Sequence, residues 1–499
     1  MANLVRRIVV FLDGTWNADD GNSRPTNVVR MREALKIGVE ELNARPAAAP
    51  GAFASGSVVD GKTGVDGKTG AFEYVVHYDS GVGTGVLDKL PGGILGRGLD
   101  DNIREAYRFL SRHYRDGDEI HVFGFSRGAF TARSVVGYLF STGLLTAEHS
   151  TTEREEQAWR YYRTSPNDRN CGDWHKLKEY LHPADKLTVK SVGVFDTVGA
   201  LGIPIDLFRA VNAQRYAFHN TELSPIVEHS FHAVAIDEHR RAFEATLWRK
   251  PKFKTYLYSA NVEQVWFPGA HADVGGGYTN WDVWDTHDIG RQDIAYDWMI
   301  RRLRDRVGLH FAESASAGAP ARRCRPREAV EAEIHRPWGK LDRFRKQATR
   351  IINQVWPLER SGTVAVGVAR HEDAIGEKIH ISALELLARK GVAWEGRSGK
   401  QLYRPPNLLA VLPLIAAHYQ AWNPNAWAAW RSYARALAKG AAQQPTLPVV
   451  GWDGSEIPAT PDRNSHPDIF ALIGTDPTIY RLPTPPQIAT EPERETAEG

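Results

Sequence analysis

Short apolar runs rich in β-branched residues alternate with amphipathic helical stretches over residues 1–310. The runs are almost continuously apolar, which is typical of parallel strands that are buried on both faces. Residues 100–114, between two such runs, carry a single apolar stripe at helical spacing. This order predicts an α/β fold in which helices flank a mostly parallel central sheet. The predicted strands lie at residues 6–13, 72–79, 118–125, 187–196, 230–237 and 261–271.

Outside these runs the chain divides into segments of different character. Residues 145–185 are polar, aromatic and helical in pattern, and they lie where a cap would be inserted into the catalytic core at 1–310. Residues 44–70 contain the hexapeptide VDGKTG twice, which predicts a flexible, glycine-rich surface loop. Residues 311–482 are predicted to form a mainly helical region that packs on or caps the core. The acidic, proline-rich residues 483–499 predict a disordered tail.

Basic residues are concentrated in the C-terminal region. Residues 321–350 contain ten lysines and arginines against four acidic residues, and residues 425–439 combine tryptophans with basic side chains. A basic helix with tryptophans can lie at a membrane interface. An amphipathic helix docked on the main domain explains the same pattern, and we favour that interpretation.

Overall composition excludes several classes of protein. The 499 residues carry a net charge of only +2, which does not favour nucleic-acid binding. Two cysteines, Cys171 and Cys324, are too few for a disulfide framework. The apolar run at 8–12 is too short for a signal peptide or a membrane span. We therefore expect a soluble chain that is made in the cytoplasm.

One predicted strand runs directly into the pentapeptide Gly124-Phe125-Ser126-Arg127-Gly128. This matches G-x-S-x-G, the sharp turn that presents a nucleophilic serine between a strand and a helix. A serine at the head of a helix lies where the dipole and free N–H groups favour a developing negative charge. A serine that only caps a helix would not require both glycines. The pattern therefore predicts Ser126 as a nucleophile.

A nucleophilic serine needs a general base, and the base needs an acid that orients it. In the α/β-hydrolase fold the acid and then the histidine follow the serine, each after a strand. His271 ends the last predicted strand, beside a glycine-rich stretch, and is the predicted base. Asp196 and Asp237 both end strands between Ser126 and His271. We favour Asp196 as the acid and keep Asp237 as the alternative.

The oxyanion hole of this fold uses the backbone N–H after the nucleophile and a second one from an earlier strand-end loop. These rules predict the amide of Arg127 and that of Gly14 or Thr15. The sequence Asp13-Gly14-Thr15 also ends the D-x-D-G-T phosphatase motif. Phe11 stands where that motif requires its nucleophilic aspartate, so the phosphatase interpretation is rejected.

Seven sequence blocks follow one another between roughly residues 5 and 410: RIVVFLDGTWN, YDSGVGT, GFSRGA, FDTVGALG, HAVAIDEHR, WFPGAHADVGGGY and LYRPPNL. In this order they resemble the first class of type VI secretion lipase effectors, a bacterial phospholipase family with fungal relatives. The family triad falls, block by block, on Ser126, Asp196 and His271. The resemblance implies an α/β-hydrolase core that hydrolyses acyl esters of glycerophospholipids without a nucleotide or redox cofactor, and no metal-ligating residues are predicted.

The resemblance also implies a biological setting. It implies an antibacterial toxin that leaves the cytoplasm by the signal-independent type VI route and acts in the target-cell periplasm. The implied partners are a phospholipid membrane surface, the secretion-apparatus spike and an immunity protein. Two other functions stay open: a carboxylesterase for small or polymeric soluble esters, and a non-catalytic binding module on a hydrolase scaffold.

Overall fold

The computed structural model describes seventeen stretches of the chain, which include most of the predicted core. These stretches are residues 5–14, 25–44, 58–60, 72–81, 93–164, 169–199, 223–240, 243–249, 261–278, 289–312, 324–336, 349–353, 355–360, 363–368, 374–389, 391–419 and 446–459.

The strands in these stretches are β1 (Val5–Leu12), β2 (Val58–Asp60), β3 (Phe72–Asp79), β4 (Glu119–Phe125), β5 (Val189–Phe195), β6 (Val227–Ala235), β7 (Asn261–Phe267), β8 (Val355–Arg360), β9 (Thr363–Val368), β10 (Glu377–His380) and β11 (Val449–Val450). Nine of them form one sheet, in the order β11-β10-β7-β6-β5-β4-β1-β3-β2, and every neighbouring pair is parallel. The remaining two, β8 and β9, form a separate antiparallel hairpin.

Helices connect most of the neighbouring strands and cover the sheet. The α-helices are α1 (Asn27–Ala44), α2 (Gly93–His113), α3 (Arg127–Thr142), α4 (Thr152–Arg163), α5 (Cys171–Lys178), α6 (His271–Gly275), α7 (Gln292–Arg302), α8 (Ile381–Ala388) and α9 (Pro406–His418). A π-helical turn, Leu303–Val307, extends α7, and short 3₁₀ turns lie at Ala147–His149 and Glu328–Glu331.

Strand β1 illustrates why the predicted strands are nearly continuous apolar runs. Val9 and Phe11 pack into the hydrophobic core on one face of the sheet. Ile8, Val10 and Leu12 pack into the core on the other face. Successive side chains of a strand point to opposite faces, so burial of both faces requires an apolar residue at every position. The α/β class and the mostly parallel sheet are confirmed.

The order in which the chain adds strands reverses at β1. Strand β1 lies between β3 and β4, so the chain adds strands first on one side of β1 and then on the other. In open α/β sheets such a reversal leaves a crevice beyond the carboxyl ends of the strands. Asp13, Ser126 and Asp196 each follow directly after a strand at this edge.

Two strands differ most from the sequence prediction at their ends. Strand β6 begins three residues earlier and ends two residues earlier than the predicted strand at 230–237. Strand β7 stops at Phe267, whereas the predicted strand continued to residue 271. Gly269, with φ of 117°, turns the chain, and His271 begins the short helix α6 instead of ending the strand. Positive φ is a conformation that glycine adopts without steric strain.

The segment from 145 to 185 contains the predicted helices, α4 and α5. Two of its aromatic side chains, Trp159 and Tyr162, are buried against Tyr138 of α3, with ring centroids 5.3 and 4.8 Å apart from that of Tyr138. The Tyr162 hydroxyl donates a hydrogen bond to the carbonyl of Ser134. These two rings therefore stabilise the packing of α4 on α3.

The C-terminal region supplies strands as well as helices. Strand β10 pairs with β7, and β11 pairs with β10, so strands on both sides of residue 310 belong to one sheet. The prediction of a mainly helical region did not include them. Strand β2 lies inside the predicted loop at 44–70 and pairs with β3. The rest of that loop after residue 44, the basic helix at 425–439 and the tail at 483–499 lie outside the described residues.

Candidate active site

Ser126 occupies a sharp turn between β4 and α3. Its backbone dihedrals are φ 57° and ψ −120°, and its N–H donates to the Phe195 carbonyl at 3.0 Å. A Cβ on Gly124 would lie 2.5 Å from the Gly128 carbonyl oxygen, and one on Gly128 would lie 2.1 Å from the Leu12 carbonyl oxygen. Both glycines are therefore required by the close approach of strand, turn and helix.

His271 lies beside Ser126 although 145 residues separate them in the sequence. Its Nε2 is 2.8 Å from the Ser126 Oγ, and its Nδ1 is 2.5 Å from Oδ2 of Asp196. An ionised carboxylate can only accept, so Nδ1–H donates to Asp196 and Nε2 accepts from the serine hydroxyl. The imidazole is held between the rings of Phe125 and Phe243, with centroids 4.7 and 5.0 Å away.

Asp196 follows β5 directly and is fully buried. Its Oδ1 accepts from the amide of Ala235, and its Oδ2 accepts from His271. Arg350 donates to both oxygens, at 2.5 and 2.9 Å. Burial alone would raise the pKa of Asp196, but the Arg350 guanidinium and the hydrogen bond from His271 outweigh it and hold that pKa below its usual range. Asp196 is therefore ionised at neutral pH.

Arg350 is a site residue that the sequence analysis did not identify. It is one of ten basic residues in a stretch of thirty, 321–350, and no motif distinguishes it from the others. Its sequence separation from Asp196 is 154 residues, so no local spacing could indicate the contact. Only the folded chain brings this arginine to the carboxylate.

Asp237, the alternative acid, lies in a different environment. Its Oδ2 accepts from the amide of Gly269 at 2.6 Å and from the hydroxyl of Tyr403 at 2.9 Å. Burial raises its pKa above the ordinary aspartate value. Its carboxylate thus fixes the turn before His271, whereas the carboxylate of Asp196 contacts the imidazole itself.

A second ion pair supports the short helix that carries His271. Asp273 Oδ2 accepts from the amides of Ala270 and His335 at 2.9 and 3.0 Å, and its Oδ1 is 2.6 Å from His335 Nδ1. Burial would lower the pKa of His335, but the hydrogen bond with Asp273 outweighs it and raises that pKa. The Tyr278 ring stacks on His335 with centroids 4.0 Å apart. Asp273 is therefore a loop-structuring residue.

The predicted oxyanion donors lie against the serine where the structure describes them. Arg127 is the first residue of α3. Gly14 is so close to the serine that a Cβ on it would lie 3.3 Å from the Ser126 Cβ. The Gly14 amide donates to Oδ1 of Asp13 at 2.7 Å, so in this conformation it bonds within its own loop. Thr15 lies outside the described residues.

Two further properties of the described residues bear on the chemistry. No group of three or more His, Cys, Asp or Glu side chains in them is arranged to hold a metal ion. None of the described helices is both long enough and apolar enough to span a membrane.

The site and the fold together identify the class of the protein. A parallel sheet with a strand–serine–helix turn near its centre, followed in chain order by an aspartate and a histidine at the same sheet edge, defines the α/β-hydrolase fold. A sequence model of the type VI secretion (T6SS) phospholipase effector Tle1-like catalytic domain matches residues 6–302. The chain belongs to this family, and the resemblance seen in the sequence is confirmed.

Similar proteins match parts of the chain. Protein YEL023C of Saccharomyces cerevisiae is 31% identical over 180 residues, which are 35% of this chain and 25% of the yeast protein. A crystal structure of a Pseudomonas aeruginosa protein is 15% identical, with a TM-score of 0.33, and covers 62% of this chain and 47% of that chain. The structure of the Tle1 effector bound to the VgrG spike of the type VI secretion system is 20% identical, with a TM-score of 0.25, and covers 57% of this chain and 52% of that chain. The chain thus spans a quarter of the yeast protein and about half of each solved chain.

Proposed function

We propose that the chain is a serine hydrolase that cleaves the acyl ester bonds of glycerophospholipids, with Ser126, His271 and Asp196 as its catalytic triad. The observation that carries this proposal is the continuous hydrogen-bond chain from Asp196 Oδ2 through both imidazole nitrogens to the Ser126 Oγ. Membership of the phospholipase effector family supports the lipid substrate.

Acylation of the serine follows from this arrangement. Nε2 of His271 takes the proton from the Ser126 hydroxyl while Oγ attacks the ester carbonyl carbon. Asp196 holds the imidazole in the tautomer that leaves Nε2 free to accept, and it stabilises the imidazolium that forms. The imidazolium then gives its proton to the departing alcohol oxygen, so a lysolipid leaves and an acyl-serine remains.

The tetrahedral intermediate needs donors for its oxygen anion, and water must then release the acyl group. We assign the amide of Arg127 as the first donor, because it follows the nucleophile at the start of α3. The Gly14–Thr15 loop supplies the second donor, and the Gly14 amide becomes available when its bond to Asp13 opens. His271 then deprotonates a water that attacks the acyl-serine, which releases the fatty acid and restores Ser126.

The family gives the proposed biological role. We propose an antibacterial effector that the type VI apparatus delivers to the periplasm of a target cell, with a spike protein and an immunity protein as partners. Its phospholipid substrate requires contact with a membrane surface.

Three variants test the triad: Ser126→Ala, Asp196→Asn and Asp237→Asn are compared with wild type. The assays follow fatty-acid release from mixed phospholipid vesicles and hydrolysis of a short-chain aryl ester. Ser126→Ala should reduce kcat on the order of 10⁶-fold. Asp196→Asn should reduce it about 10⁴-fold, because the imidazole takes the wrong tautomer. Asp237→Asn is the matched control, and we expect it to retain kcat within several-fold because its carboxylate does not contact the imidazole.

The outcomes separate the three candidate functions. Cleavage of the aryl ester without fatty-acid release would favour a soluble-ester carboxylesterase and reject the phospholipid substrate. Ser126→Ala activity equal to that of wild type on both substrates would reject the serine mechanism. A folded wild type that is inert on both and is not labelled by a fluorophosphonate would favour the binding module.

A further inference from the structure

The two terminal nitrogens of Arg350 make four hydrogen bonds around the triad acid. Its Nη1 donates to Oδ1 of Asp196 at 2.5 Å and to the Ala235 carbonyl at 2.8 Å. Its Nη2 donates to Oδ2 of Asp196 at 2.9 Å and to the Phe243 carbonyl at 2.5 Å. Phe243 is also one of the two rings against His271. The arginine is 4% exposed, so bulk water does not screen the pair.

The stretch 349–353 that carries this arginine is tied to the sheet by its own contacts. Ile352 is fully buried in the main hydrophobic core. The amide of Asn353 donates to a Glu377 oxygen at 3.0 Å, and the same oxygen accepts from the indole N–H of Trp266 on β7. The backbone next to Arg350 is therefore held by the sheet, and its guanidinium is held by the bidentate contact with Asp196.

We propose that Arg350 is a positioning residue of the triad, which fixes both oxygens of Asp196 so that Oδ2 faces the imidazole of His271. This inference rests on the proposed function, because it assigns Arg350 a role in the same site. Arg350 lies outside the residues 6–302 that match the catalytic-domain model. The C-terminal region of the chain thereby completes the active site.

The contact has an electrostatic consequence as well as a geometric one. Oδ2 accepts from the guanidinium and from the imidazole at the same time. The positive guanidinium offsets part of the attraction between Asp196 and the imidazolium, so the wild type forms the imidazolium less readily than the Asp–His pair alone would. Loss of the guanidinium should move the acid limb of the activity profile to higher pH.

Two other ionisable side chains near the pair, Glu238 and His232, are not altered by the replacement of Arg350. Glu238 accepts from the His271 amide at 3.4 Å and is paired with Arg240 at 2.8 Å. His232 accepts from the amide that follows Asp196 in the chain, and burial lowers its pKa to about 3, so it is neutral over the assay range. A shift in the acid limb would therefore report on Arg350.

The experiment compares wild type with Arg350→Met, Arg350→Lys and Arg302→Met. Arg302 is the matched control, because it forms another buried pair, with Glu263 at 3.2 Å, on the helix α7 and away from the triad contacts. The readouts are the rate of Ser126 labelling by a fluorophosphonate per folded molecule, and kcat and KM for the aryl ester, both between pH 4 and 9.

We expect Arg350→Met to reduce kcat/KM about 10- to 100-fold through kcat, because the carboxylate loses its orientation. The acid limb of the Arg350→Met profile should move up by about one pH unit, because the imidazolium no longer has the positive guanidinium nearby. Arg350→Lys should keep the acid limb of wild type at an intermediate rate, since it keeps the charge but not the bidentate contact. Arg302→Met should match wild type per folded molecule.

A purely structural role would give a different result. Arg350→Met would then have fewer folded molecules, but each would show the rate and the acid limb of wild type, which would overturn the proposal. If Arg350→Met does not fold, Arg350→Lys decides: labelling within twofold of wild type overturns the proposal, and a loss of about tenfold supports it. Because labelling needs no lipid, a wild type that labels but releases no fatty acid rejects only the phospholipid substrate. A wild type that does not label rejects both.

Discussion

Asp13 combines deep burial with three hydrogen bonds at the sheet edge next to Ser126. Its carboxylate accepts from the amide of Gly14 at 2.7 Å, from the hydroxyl of Thr26 at 2.7 Å and from that of Tyr78 at 3.1 Å. Burial raises the pKa of Asp13 to about 7, although these three bonds lower it. The chain therefore carries a carboxyl group beside its candidate nucleophile that titrates near neutral pH.

Asp13→Asn should make stability less dependent on pH. The folded pKa lies above the unfolded one, so the folded state binds the proton more tightly, and this contribution to stability is lost as pH rises from about 4 to about 7. Asparagine has no such loss, so the free energy of unfolding of the variant relative to wild type should be higher by roughly 4 kcal/mol above pH 7 than near pH 4. Urea unfolding at pH 4.5 and 8 measures the difference.

Asp101→Asn, on an exposed position of α2, controls for general loss of charge. If both variants change the pH dependence of the free energy of unfolding equally, the prediction is contradicted.

The sequence could identify some of the site residues but not all of them. Ser126 carries a motif, and His271 follows a strand in the required order. Asp196 and Asp237 both follow strands, and only the direction of their carboxylates in the fold separates them. Arg350 has no local pattern at all, because its contact depends on tertiary structure alone.

At the level of elements, the contact between β1 and α3 is set by a single small residue. A Cβ on Gly128 would lie 2.1 Å from the Leu12 carbonyl oxygen and 2.5 Å from that of Asp13. Backbone atoms cannot move aside without separating the helix from the strand. Gly137, on the same helix, has room: a Cβ there would first meet the Tyr162 hydroxyl at 3.4 Å.

Gly128→Ala and Gly137→Ala should therefore have opposite effects. Gly128→Ala should lower the free energy of unfolding by about 3 kcal/mol or more through overpacking. Gly137→Ala should raise it by about 0.5–1 kcal/mol, because alanine has the higher helix propensity. Denaturant unfolding of both variants measures the difference, and similar changes at the two positions would refute the close packing of α3 on β1.

Long, doubly buried strands were the elements that the sequence predicted best, since burial on both faces leaves a continuous apolar run. Short elements were harder. Strands β10 and β11 have only four and two residues, too few for a recognisable period, and they pair only with the already formed sheet. Helix α6 has five residues beside a glycine-rich sequence, which favoured a turn. Tertiary contacts, not local pattern, determine these elements.

At the level of the whole molecule, the main hydrophobic core joins the two predicted regions. It includes Val9, Phe123 and Trp266 of the central strands together with Leu408 and Val411 of α9. When either of the two regions unfolds, the core residues of the other region lose the contacts that bury them. The described part of the C-terminal region should therefore unfold with the sheet that carries the proposed triad.

Leu408→Ala tests this coupling. Leu408 is fully buried, so the change should lower the free energy of unfolding by roughly 2–5 kcal/mol through the lost contacts and the cavity. The control is Leu402→Ala, because Leu402 is 56% exposed and should give a change within about 0.5 kcal/mol.

Circular dichroism and fluorophosphonate labelling of Ser126 are followed along the same urea titration. One shared transition, displaced to lower urea in Leu408→Ala, is expected. If labelling at Ser126 survives the transition that Leu408→Ala displaces, helix α9 unfolds apart from the sheet and the prediction is wrong.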